Sequence, residues 1–300
     1  MADTSVSLAG VTFKNPVITA SGTFASGREY AELTDLSRLG GITTKGVSME
    51  PWPGNPPPRV AETYGGTLNS VGLQNPGVER FLAEDAPFLR GCGARVIVNI
   101  CGHTVDEYAA VAEALADSGA DMLELNISCP NVKRGGIAFG TDPERVREVT
   151  EAVRKKARQP LIVKLSPNVT DITEIARAAE DGGADALSLI NTLLGMKIDI
   201  RRRRPVLANA VGGLSGPAIM PVAVRMVWAV AKAARVPVVG MGGIMTARDA
   251  IEFIMAGAAA IAVGTATFRD PNAAVSIAEG IERFMDENGI NSLSEIRGIV

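Results

Sequence analysis

The chain has 300 residues, 46% of them hydrophobic, enough to build a sizeable core in one large domain or two small ones. Acidic and basic residues are interspersed and sum to a net charge of −3, which leaves no basic footprint for nucleic acid. Three cysteines, Cys92, Cys101 and Cys129, form no C-x-x-C pair and the chain has one histidine, which argues against a zinc site, an iron–sulfur cluster ligated by this chain alone and a disulfide scaffold; a reducing, cytoplasmic setting fits.

The N-terminus has no basic region followed by an apolar one. The apolar uncharged run 253–268 is broken by Gly257 and Gly264, so no signal segment or membrane span is expected. Residues 6–13, apolar and turned at Gly10, predict a short hairpin. From there apolar strands alternate with amphipathic segments. Strands are predicted at 17–22, 41–46, 95–101, 122–128, 161–166, 186–192, 236–242 and 260–265. Helices are predicted near 27–38, 77–91, 105–118, 143–158, 171–181, 217–234, 246–256 and 272–288, several opened by caps such as Thr141-Asp142-Pro143 or Thr246. Near-continuous apolar strands alternating with helices indicate a parallel sheet covered by helices. Eight of them favour an α/β fold closed into a (β/α)₈ TIM barrel, a single domain over 1–300 with the N-terminal hairpin closing its floor.

In such a barrel function gathers at the carboxyl ends of the strands. Those ends carry Ser21-Gly22, Thr44-Lys45-Gly46, Asn99, Asn126 with Cys129, Lys164, Asn191-Thr192, Gly242-Gly243 and Gly264-Thr265, a set of amides, two lysines, one thiol and glycines without histidine or carboxylate. His103 lies just past the third strand and reads as an exposed loop residue, and no metal site is expected. Cys129 follows an apolar strand and precedes Pro130 and the glycine-containing loop 130–140, so it belongs at a strand mouth, where a reactive thiol has access. Glycines after the last two strands, with Gly216 from the loop 212–216, suit a phosphate cradle. Lys45 and Lys164 sit in apolar strands, where a cation calls for an anionic partner. The turn-rich segment 67–77 reads as a loop long enough to bind something.

Three motifs together resemble the dihydroorotate dehydrogenases over nearly the whole chain: Asn126-Ile127-Ser128-Cys129-Pro130-Asn131, Asn69-Ser70-Val71-Gly72-Leu73-Gln74-Asn75-Pro76-Gly77 and Gly213-Leu214-Ser215-Gly216-Pro217. Cysteine at 129 is similar to class 1, since the membrane-bound class carries serine there. Val132-Lys133-Arg134-Gly135-Gly136 and Asn191-Thr192-Leu193-Leu194-Gly195-Met196 resemble the NAD-linked subclass 1B catalytic subunit; Cys101 and Met220 depart locally from the family. The resemblance implies one FMN per chain, held by Ser21, Lys45, Gly46, Asn99, Asn126, Lys164, Ile190, Gly216, Gly242, Gly243, Gly264 and Thr265. It implies dihydroorotate held by Lys45, Asn69, Ser70, Val71, Gly72, Leu73, Asn126, Asn191 and Thr192. Cys129 would take the C5 proton while hydride passes from C6 to flavin N5. Electrons would then reach NAD⁺ through a partner subunit carrying FAD and a [2Fe-2S] cluster, around a homodimer core in a heterotetramer. The rivals are the fumarate-using class 1A enzyme, a dihydropyrimidine dehydrogenase-like reductase and, from another class, a non-redox phosphate-binding lyase or isomerase barrel using a lysine as Schiff-base former. Arg201-Arg202-Arg203-Arg204 is a basic run that either helps to dock the partner or is a solvated loop.

Overall fold

The computed structural model describes residues 2–127 and 139–300. Cys129 and nearly all of the loop expected after it lie outside those residues.

The chain opens with a hairpin of Val6–Leu8 (β1) and Val11–Phe13 (β2), antiparallel and turned at Gly10, whose φ of 83° suits a residue without a side chain. In chain order there follow Val17–Thr19 (β3), Gly41–Thr43 (β4), Val60–Thr63 (β5), Gly66–Asn69 (β6), Arg95–Ile100 (β7), Met122–Asn126 (β8), Leu161–Lys164 (β9), Ala186–Leu189 (β10), Leu193–Met196 (β11), Ile198–Asp199 (β12), Arg204–Pro205 (β13), Val211–Ser215 (β14), Val238–Met241 (β15) and Ala260–Val263 (β16). Eight of these close a parallel barrel in the order β10-β15-β16-β3-β4-β7-β8-β9. They are the eight strands expected, each ending one to three residues early. Past the last interstrand pairs, such as Asn126 with Lys164, the chain turns into the rim loops that carry the site.

Barrel residues alternate between two cores. Val98, Leu123, Leu125, Val163 and Leu187 face outward against the helices, whereas Ile18, Ile97, Met122, Ile162, Ala186, Val239 and Ala260 face the axis. Leu8 and Phe13 of the hairpin are fully buried against that inner set. The hairpin therefore plugs the amino end of the barrel, each side chain contributing about 1.5–3 kcal/mol by burial.

The helix predictions fare unevenly. Pro143–Lys156, Ile172–Asp181, Ala247–Met255 and Ala273–Asn288 fall where periodicity places them. Asp142 caps the first, accepting from the Glu144 and Arg145 N–H groups, and Thr246 forms a capping box with Asp249 on the third. Residues 27–38 make only a short helix, Arg28–Ala31, because Asp35 turns its carboxylate onto the Ser37 N–H and starts a separate turn, Leu36–Arg38. Within 77–91 one turn, Phe81–Asp85, is widened so that the Ala86 N–H reaches the Phe81 carbonyl, just before Pro87, which has no N–H to give.

Two further features correct the sequence reading. Parts of the presumed loops 67–77 and 212–216 are strands, and with β5 and β11 they form an antiparallel sheet in the order β11-β14-β6-β5 above the barrel. β12 and β13 make a separate small ribbon whose turn carries Arg201, Arg202 and Arg203.

Candidate active site

The carboxyl ends of the barrel strands surround a cavity of about 1130 Å³, its open mouth included. Ser21, Lys45, Gly46, Asn99, Asn126, Lys164, Ile190, Gly216, Gly242, Gly243, Gly264 and Thr265 all line it. So do Asn69, Val71, Leu73, Asn191 and Thr192. Ser70 and Gly72 do not: the Ser70 N–H bonds the Arg59 carbonyl and its side chain is fully buried, while a Cβ on Gly72 would lie 2.7 Å from Asn55 Cγ. Their place is in the turn that presents Val71 and Leu73.

The antiparallel sheet forms one wall. Its register sets Thr67 opposite Ser215 and Val60 opposite Asn69, and period-two alternation puts all four on the cavity face. The other face packs Ala61, Leu68 and Leu207 into a small core of its own. Strand chemistry, rather than a loop, thus positions Asn69.

A polar network forms the floor. Lys164 Nζ donates to Ser21 Oγ at 3.1 Å and stands 3.8 Å from Glu124 Oε1. Asn99 Nδ2 donates to Glu124 Oε1 at 2.6 Å, Ser188 Oγ donates to Glu124 Oε2 at 3.1 Å, and Asn126 Nδ2 donates to Asn99 Oδ1 at 3.3 Å. The strand ends hold no carboxylate, as expected, yet one lies a layer below them. Glu124 stands two residues before Asn126 on β8 and therefore shares its inward face. A charged residue inside an apolar run, at that spacing from Asn126, was the signal for it. The anionic partner sought for Lys164 is in part this side chain of the protein itself.

Above the floor, three glycines bring backbone close to the cavity. Gly216, Gly242 and Gly243 have φ of 103°, 126° and 84°. A Cβ on Gly243 would come within 2.8 Å of Met220 Cβ and 2.9 Å of the Gly216 carbonyl oxygen, and one on Gly216 within 2.7 Å of Gly66 Cα. The fourth, Gly264, has ordinary room, its nearest neighbour being Ala20 Cβ at 3.5 Å. Beside it Thr265 Oγ1 donates to Ser215 Oγ at 2.9 Å. Exposed backbone among small residues, hydroxyls from Thr265 and Ser215, and buried amides with a lysine beneath suit a ligand that pairs an anionic phosphate with a flat polar ring.

The remaining candidates lie elsewhere. His103 packs against Trp52 with the ring centroids 4.0 Å apart and the planes tilted by 43°, and its Nδ1 is 3.4 Å from Glu107 Oε2, away from the cavity. Arg201 to Arg204 are exposed and absent from the cavity lining; the Asp199 carboxylate accepts from the Arg201 and Arg202 N–H groups and holds their turn. Phe268, which no motif marked, lines the cavity and is 58% exposed, so the lining reaches the surface there. Among the described residues no cluster of three or more metal-ligating side chains occurs, and no helix is long and apolar enough to cross a membrane.

Fold and cavity define a (β/α)₈-barrel protein with a polar ligand site at the carboxyl ends of its strands. A family model described as dihydroorotate dehydrogenase matches residues 3–285. The protein of Alkaliphilus metalliredigens named dihydroorotate dehydrogenase B (NAD(+)), catalytic subunit, is 63% identical over 293 residues, covering 98% of this chain and 97% of that one. Its namesake from Lachnoclostridium phytofermentans is 61% identical over 298 residues, covering 99% of each. A crystal structure of DHODH from Eimeria tenella, solved with ferulenol, shares the fold with a TM-score of 0.83 at 24% identity, covering 99% of this chain and 88% of that one. The chain belongs to the dihydroorotate dehydrogenase family.

Proposed function

We propose that the chain is the catalytic subunit of an NAD-linked dihydroorotate dehydrogenase, oxidising (S)-dihydroorotate to orotate in de novo pyrimidine synthesis. The observation that carries this reading is the end-to-end similarity to subunits of that name, and the cavity supplies groups suited to the chemistry. FMN bound there would supply the hydride acceptor, its N5 receiving the hydride from C6 of the substrate.

The side chains divide the work. Gly216, Gly242 and Gly243, with Gly264 and Thr265, offer close backbone and a hydroxyl to the phosphate. Ser21, Gly46, Asn99, Lys164 and Ile190, which line the cavity, would hold the ring, and the Lys164 ammonium would favour negative charge building on it. Lys45, Asn69, Val71, Leu73, Asn126, Asn191 and Thr192 bound the space for the substrate, with Ser70 and Gly72 shaping the turn. Amides donate and accept on adjacent edges, which matches a flat substrate bearing carbonyls, N–H groups and a carboxylate. Cys129, three positions after the end of β8 in the sequence, takes the C5 proton. The whole chain serves as one FMN-binding domain in the cytoplasm, a homodimer core flanked by subunits that carry FAD and a [2Fe-2S] cluster.

Anaerobic mixing of the FMN-loaded chain with dihydroorotate should bleach the flavin absorbance. Cys129→Ala should retain FMN and slow that bleaching by roughly two orders of magnitude or more, the usual size of a lost general base. Reduction at near-normal speed in the variant would reject Cys129 as the base; no bleaching in the parent protein would reject the activity.

A further inference from the structure

β8 carries a carboxylate that no step of the proposed reaction uses. Glu124 is 3% exposed, with Met122 beneath it on the same face of β8, the apolar Ile162 opposite it on β9 and Asn99 opposite it on β7. A buried carboxylate is costly unless it is paired and hydrogen-bonded, and an apolar side chain of similar volume would serve packing at least as well. Glu124 meets the first condition through Asn99, Ser188 and Lys164. It does not line the cavity, so it acts on a ligand through those partners.

Two consequences follow from its chemistry. An ionised carboxylate only accepts hydrogen bonds, so it dictates that Asn99 turns Nδ2 toward it and Oδ1 away. That oxygen then receives Asn126 Nδ2, which fixes the second amide in turn. Separately, the carboxylate lies within 3.8 Å of the Lys164 ammonium with both side chains about 95% buried, where charges are weakly screened. The positive charge that the floor offers to a ring above it is therefore partly cancelled from below.

We propose that Glu124 is a positioning residue of the flavin site: its carboxylate fixes which edges Asn99 and Asn126 present and restrains the charge of Lys164, lowering the reduction potential of bound FMN. This rests on FMN being the occupant of the cavity. Adding electrons to a ring above an uncompensated Lys164 is easier than above a Lys164–Glu124 pair, so removing the carboxylate charge raises the potential.

The test uses the full chain loaded with FMN and equilibrated against reference dyes. Glu124→Gln, nearly the same shape without the charge, should move the midpoint positive by about 30 mV or more, equivalent to a tenfold change in a two-electron equilibrium. Ser188→Ala removes one hydrogen bond but leaves the Glu124 carboxylate and its Lys164 contact in place, and should leave the midpoint unchanged. An unchanged midpoint in Glu124→Gln, or an equal shift in Ser188→Ala, would overturn the proposal. Should Glu124→Gln fail to hold FMN, Glu124→Asp, which keeps the carboxylate charge, is expected to hold it again at the parent midpoint; a Glu124→Asp protein that also loses FMN would overturn the proposal. A parent protein that takes up no FMN fails at the earlier step, and that outcome is distinct from all of these.

Discussion

Gly243 has no room for a side chain. At φ of 84° any other residue is strained, and a Cβ would meet Met220 and the Gly216 carbonyl at 2.8 and 2.9 Å. Since Gly216 itself approaches Gly66 closely, the strain of one substitution has nowhere to go but into the backbone facing the cavity. A left-handed non-glycine residue costs about 1–3 kcal/mol. Gly243→Ala should therefore weaken FMN binding by roughly tenfold or more, read from the fluorescence of released flavin, with the circular dichroism of the barrel unchanged. Binding at parent strength would place the phosphate elsewhere. These glycines were legible in the sequence as pairs following strands, but only coordinates separate Gly243, which nothing can replace, from Gly264, which has ordinary space around it.

Among the elements, the helix Ile172–Asp181 shows how a local signal becomes a measurable quantity. Its N-cap Asp171 is fully exposed, and its carboxyl is held below the ordinary range, first by the Thr173 hydroxyl and then by the Thr173 N–H. A carboxyl whose folded pKa is depressed contributes stability that is complete above its unfolded pKa of 3.8 and is lost as pH falls through the lower folded value. Asp171→Asn keeps an acceptor for the cap and removes the titration. The melting temperatures of the two proteins should therefore differ most near neutrality and converge in acid; a gap that stays constant to the acid limit would reject the titration as its source. The cap was legible because Asp before an amphipathic run is a start signal. The eight barrel strands were legible for a related reason: burial on both faces makes each a compact apolar run. The sheet β11-β14-β6-β5 was not. Gly66-Thr67-Leu68-Asn69 and Val211-Gly212-Gly213-Leu214-Ser215 are glycine-rich, and one face of that sheet meets the polar cavity, so neither strand shows an apolar run and local chemistry reads as turns. Glu124 was illegible at the strand ends for the opposite reason, since it lies one layer below them and is tied to the rim by hydrogen bonds through Asn99 and Asn126.

At the scale of the whole molecule the question is where the electrons go. A reduced flavin bound in this cavity would be enclosed by barrel and sheet, and the cavity lining reaches the surface at Phe268. The chain's three cysteines provide no cluster set, and no dinucleotide fingerprint opens any of its helices. None of the described helices is long and apolar enough to cross a membrane. The similarity to subunits named for NAD⁺ favours a partner protein as the outlet. The isolated chain, loaded with FMN, should accept electrons from dihydroorotate and yet leave NAD⁺ unreduced. It should gain that activity when mixed with a separately purified subunit carrying FAD and a [2Fe-2S] cluster, with NADH formation as the readout and a titration saturating at a fixed ratio of subunits. Flavin reduction by substrate and electron delivery to NAD⁺ are thereby measured apart, so a failure of the second leaves the first standing. Fast reduction of fumarate by the isolated chain, with no gain from the added subunit, would place the protein among the fumarate-using enzymes instead.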